Sequence, residues 1–120
     1  MRLFAALLGL GLASGVASAA DAGGKFMITG EGAATCSVFN EVFNKGDSAG
    51  ISKFAAWAHG YAAALNETLN GTYNVLGAKT LDEFIVDVAL ACQTDNTQPL
   101  HDAVRATLTA YYPDRIQVAP

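Results

Sequence analysis

The sequence predicts an all-α protein: a small four-helix, single-domain bundle stapled by one disulfide and preceded by a cleaved signal peptide. Three observations lead there. The N-terminus has the three zones of an export signal, four later segments carry apolar residues at helical spacing, and the chain holds two cysteines, one on each of two such segments.

The leader comes first. Arg2 supplies the positive n-region, Leu3 to Leu12 form an apolar run, and Ala17-Ser18-Ala19 offers the small residues at alternate positions that a signal peptidase accepts. That run is too short to cross a hydrocarbon layer of roughly 30 Å, so residues 1–20 read as a removable signal peptide and not as an anchor. The expected location is the periplasm, with no membrane association after cleavage. What remains is about 100 residues, the size of one modest domain. The chain carries −4 at pH 7. Arg2 leaves with the leader and every acidic residue follows it, so the mature part is one unit more negative. An acidic surface of this kind excludes nucleic-acid binding, which needs Lys and Arg to neutralise phosphates.

Two cysteines in an oxidising compartment allow one intramolecular pairing, Cys36 with Cys92. Closing a loop of that length stabilises by about 4 kcal/mol on the chain-entropy view. With no C-x-x-C and no histidine at ligand spacing from either cysteine, the pair reads as structural, and no metal or other cofactor is expected.

Residues 21–35 are Gly-rich and lack periodicity, so they read as a flexible N-terminal arm. Within it, residues 25–29 (KFMIT) are taken as a segment that packs on the helices in preference to a strand. The helical domain spans residues 36–113. Its first helix carries Cys36, Phe39, Val42 and Phe43 on one face and stops at Asn44-Lys45-Gly46. The second starts at Asp47 or Ser48. It carries Ile51, Phe54, Ala55, Ala58, Ala62, Leu65 and Leu69, with Trp57, Tyr61 and Ala64 as a second apolar edge, a width that marks a central helix. Gly60, in its middle, costs about 1 kcal/mol relative to Ala and is expected to admit a neighbouring helix. Asn70-Gly71 makes a turn, and residues 71–79 connect. Thr80-Leu81-Asp82-Glu83 is a capping box that opens the third helix, with Leu81, Phe84, Ile85, Val88 and Cys92 facing the core. Pro99 begins the fourth, whose stripe is Leu100, Ala103, Val104, Leu108 and Tyr111, and Pro113 ends it. Residues 114–120 read as an irregular tail.

Candidate chemistry is sparse, and the chain is not expected to be an enzyme. His101 stands beside Asp102, but neither a G-x-S-x-G elbow nor a reactive cysteine accompanies the pair, so acyl transfer lacks a nucleophile. His59 lies between Trp57 and Tyr61. Asp82, Glu83 and Asp87 are the one acidic cluster, and their place at a helix N-terminus gives them a dipole-offsetting role without an active site. These five groups, Glu83, Asp82, Asp87, His59 and His101, are the candidates for a response to pH. Phe39, Phe43, Phe54, Trp57, Tyr61 and Phe84 are the large apolar residues available to a ligand or client if the bundle opens; otherwise they are core. The sequons at Asn66 and Asn70 are attributed to chance.

The segment from Ala91 through Cys92 and Pro99 to Val104, with Phe84-Ile85-Val86 upstream, resembles the C-terminal half of the HdeA/HdeB acid-stress chaperones. Cys36-Ser37-Val38-Phe39 resembles the start of that family's first helix, and the Phe54…Trp57…Gly60-Tyr61…Leu65-Asn66 block its middle helix. The likeness covers about 80 residues. It implies a periplasmic, ATP-independent holdase, often a homodimer at neutral pH, that opens in acid and shields unfolding periplasmic client proteins while the disulfide keeps the loosened chain tethered. A second reading is a stoichiometric binding protein resembling the Tai-type immunity proteins, which neutralise a periplasmic toxin enzyme with a fixed folded surface.

Overall fold

Each helix starts where local chemistry can satisfy its first N–H groups. In the computed structural model, which describes residues 19–120, the helices are α1 (Cys36–Asn44), α2 (Ser48–Thr68), α3 (Leu81–Thr94) and α4 (Leu100–Tyr111). Short 3₁₀ turns occupy Gly30–Ala33 and Tyr112–Asp114. The leader expected over residues 1–20 falls almost wholly outside the described residues. Among those, there is no strand beyond two isolated bridges, and no helix is long and apolar enough to cross a membrane.

Asp47 caps α2 by accepting from the Gly50 N–H at 3.2 Å. The α3 capping box is complete: Glu83 N–H donates to Thr80 Oγ1 at 3.1 Å, and Thr80 N–H donates to Glu83 Oε2 at 3.0 Å. Neither α1 nor α4 has a side-chain cap. Their ends are sewn to each other instead. Cys36 and Ser37 donate to the carbonyls of Gln98 and Asn96 at 2.8 and 2.9 Å, and Leu100 donates back to Ala34 at 2.8 Å. Backbone from the two connecting segments thus supplies the partners that helix starts lack on their own.

The disulfide lies just inside this seam. Cys36 and Cys92 are both fully buried, with Cα atoms 5.1 Å apart, and they fasten α1 to α3. Helix α3 packs chiefly on α4 and α1, whereas α2 lies over α1 and the Gly30–Ala33 turn. Phe39, Phe84, Val88, Leu100, Val104 and Leu108 fill the space between. From α2, Phe54, Ala58 and Ala62 are buried. Ile51, Trp57, Tyr61 and Leu65 of the same helix pack against this core while remaining part-buried.

Three expectations are corrected. Gly60 admits no helix: a Cβ built there meets nothing within 4 Å. The close approach occurs at Gly32, where a Cβ would stand 2.0 Å from the Trp57 ring. The arm is accordingly docked, with Trp57 Nε1–H donating to the Thr29 carbonyl at 2.8 Å and the Phe26 ring against His101. Leu81 is about half exposed, being the first residue of α3, where the chain has not yet turned inward. The tail is irregular, as the sequence suggests, and is tied down at Ile116, which pairs with Asn74 through two backbone hydrogen bonds of 3.0 Å. Gly77, at φ +62°, lets that strand of tail pass, since a Cβ there would lie 2.5 Å from the Asp114 carbonyl.

Candidate functional site

The six apolar residues singled out in the sequence do not form one surface. Phe39 and Phe84 are fully buried, and Phe54 is nearly so. Phe39 meets Phe54 edge-on with centroids 5.4 Å apart, and Phe43 lies 5.8 Å from Phe39. Phe84 stands between His59 and Tyr111, at 6.3 and 6.0 Å. Trp57 and Tyr61 stack on each other at 5.6 Å, on another side of α2. They belong to a second cluster with His101 and Phe26, whose rings lie 5.1 Å (Tyr61), 5.4 Å (Phe26) and 6.2 Å (Trp57) from the imidazole. The first cluster packs α2 onto α1 and α3; the second pins α2 to the arm and to the start of α4.

The titratable candidates are scattered in the same way. His101 is buried, and its Nδ1–H donates to Asp102 at 3.0 Å; the carboxylate can only accept, which sets the tautomer. With three aromatic rings around the imidazole, the pair serves packing. His59 is half-buried, and its Nε2 is shielded from solvent with no hydrogen-bond partner. Asp82 is exposed in the first turn of α3, and Glu83 serves the cap.

Asp87 departs furthest from the expected dipole role. Its Oδ2 accepts from the Tyr111 hydroxyl on α4 and from Lys79 Nζ at 3.2 Å. Lys79 also sits 5.4 Å over the Tyr111 ring. One carboxylate thereby closes α4 and the connection before α3 onto the α3 helix. The Tyr111 hydrogen bond, reinforced by Lys79, holds the Asp87 carboxyl below the usual range, against the opposing effect of burial. Burial, and then this carboxylate, push the Tyr111 phenol up. At the α3–α4 turn Asp95 accepts from both the N–H and the hydroxyl of Thr97, at 2.9 and 2.7 Å, which likewise holds its carboxyl down.

Sequence reasoning missed Lys79 and Tyr111 as partners of Asp87, since contacts 8 and 24 residues apart leave no local signature. It also missed Asn66, whose side-chain carbonyl accepts from the Val75 N–H at 2.7 Å and anchors the connection after α2. The Gly30-x-Gly32 spacing was the available signal for the docked arm. Among the described residues no three His, Cys, Asp or Glu side chains are grouped to hold a metal ion. Comparison with family models, characterised proteins and solved structures returns no match.

Proposed function

We propose that this chain is an extracytoplasmic, ATP-independent acid-stress chaperone that opens at low pH and shields unfolding clients. The observation that carries the reading is the placement of Asp87. Beside the apolar packing of α3 on α4, the Tyr111 hydroxyl of α4 and Lys79 of the preceding loop both bond one α3 carboxylate, while the α1–α3 tie is a covalent bond that acid leaves intact. Protonation of Asp87 removes the charge from that junction. Protonation of Asp95 weakens the turn at the end of the same helix. The net charge meanwhile reverses from negative to strongly positive, so self-repulsion favours expansion.

What opening exposes follows from the packing. On the inner face of α2, Phe54 meets Phe39 of α1 and His59 lies against Phe84 of α3. Loosening α2 uncovers aromatic surface without breaking the disulfide. The likeness of the cysteine-bearing and Gly-Tyr segments to the HdeA/HdeB family supports the same reading.

The rival is a folded binding protein of the immunity type, and one observation favours it: Val86 and Leu90, one turn apart on α3, are about half exposed. Near-UV circular dichroism and dye binding from pH 7 to 2, on the oxidised chain, separate the two. The chaperone reading expects loss of near-UV signal and gain of dye fluorescence below about pH 4, where carboxylates protonate. A chain that keeps its near-UV spectrum and binds no dye at pH 2 defeats it.

A further inference from the structure

A groove between α2 and α4 has the form of a ligand site in the closed, neutral-pH state. It has a volume of about 260 Å³, and Leu65, Leu69 and Leu108 contribute its apolar lining, with Tyr61 and Tyr112 beside them. Ordinary ligand pockets run from about 300 to 1,000 Å³, so a space near the lower bound suits one aliphatic tail better than a ring system.

Two guanidinium groups stand near it, and they differ in what they are already doing. Arg115 is already bonded within the fold. Its Nε donates to the Gly71 carbonyl and the Thr72 hydroxyl at 3.1 and 3.0 Å, its Nη1 donates to the Tyr112 carbonyl at 3.0 Å, and it lies 3.8 Å over the Tyr112 ring. It holds the Tyr112 wall in place. Arg105 lines the groove itself, and its guanidinium makes no hydrogen bond or ion pair among the described residues. The acidic residue one turn before it, Asp102, is bonded to His101. An unpaired guanidinium beside an apolar cleft, on a chain whose net charge is negative, complements a single planar anion with a hydrocarbon tail.

We propose that this groove binds a free aliphatic carboxylate of medium chain length, its tail along Leu65, Leu69 and Leu108 and its headgroup on Arg105. The site belongs to the folded protein at neutral pH and is independent of any opening in acid. Its ligand loses its charge as the carboxylate protonates, so occupancy falls at the pH where the chaperone reading places activity.

Trp57 is the chain's one tryptophan, and it stacks on Tyr61 at the groove's edge, which provides the readout. The folded chain is titrated at pH 7 with decanoate, decanol and decylammonium, each below its micelle concentration, following Trp57 fluorescence and the melting temperature. Decanoate is expected to give a saturable fluorescence change and to raise the melting temperature. R105Q, on the exposed end of the groove, is expected to weaken decanoate about three- to fivefold, as for an exposed ion pair, and to leave decanol unchanged. L69D is expected to abolish binding of both, with far-UV circular dichroism confirming that it remains helical; should it unfold, the R105Q comparison stands alone. No saturable response to millimolar decanoate overturns the proposal. So does equal binding of decylammonium, or an R105Q variant that binds decanoate as the unsubstituted chain does.

Discussion

Replacing Asp87 by asparagine keeps the shape of the junction and removes its charge. In the folded chain the Asp87 side chain is 31% exposed and accepts from both Tyr111 and Lys79. Hydrogen bonds to a charged acceptor contribute about 1.5–3 kcal/mol each in buried settings. Asparagine can still accept from both donors, and partial exposure screens the charge, so the expected cost at pH 7 is about 1–2 kcal/mol in total. For a domain of this size that corresponds to a melting temperature lower by about 5–12 °C. The pH dependence has a definite sign. The Asp87 carboxyl is held below its unfolded value, so its contribution is complete above about pH 5 and is lost as pH falls through the folded value. Urea unfolding of the oxidised protein at pH 7, 5 and 2.5 should show the two chains converging in acid. Y111F should cost about 1 kcal/mol, and the double variant should cost less than the sum of the two. A penalty equal at pH 7 and 2.5, or one below about 0.3 kcal/mol at pH 7, refutes the assignment of the junction to this carboxylate.

Other substitutions test the remaining supports. C36S with C92S should lower stability by about 4 kcal/mol, seen as a matching loss when the unsubstituted chain is reduced before urea unfolding. G32A should push the arm off the Trp57 ring, shifting tryptophan emission to the red and lowering the melting temperature. G60A, whose new methyl meets nothing, should be neutral or stabilise by up to about 1 kcal/mol. H59L removes a shielded nitrogen that has no partner, and calorimetry should find it neutral or stabilising at pH 7.

What the sequence discloses follows the range of the interaction. The capping box of Thr80 and Glu83 and the Asp47 cap were legible because both partners lie within one turn. The stripe from Phe54 through Ala58 to Ala62 was legible because burial repeats with the helix. Cys36 and Cys92 were readable as a pair because no other cysteine competes. The glycines show the limit. A helix-interior Gly60 looks like a contact point, but which side of α2 faces the bundle depends on Trp57, and Trp57 is covered by a turn some 25 residues earlier that carries no helical period. The docking of Ile116 on Asn74, and of Asp87 on Tyr111, is likewise decided by where two distant segments meet. The six large apolar residues were singled out together. Their division into a core group where α2 meets α1 and α3 and a pinning group around His101 required the rotation of α2, which periodicity leaves open by tens of degrees on so apolar a helix.

The most direct test of acid-opened chaperoning is light scattering from an acid-labile enzyme brought from pH 7 to pH 2.5 in the presence of the oxidised chain. The account predicts suppressed aggregation at pH 2.5 at near-stoichiometric ratios, no effect on a heat-denatured client at pH 7, and an onset displaced to higher pH by D87N. A client that aggregates equally with and without the chain at pH 2.5 contradicts it.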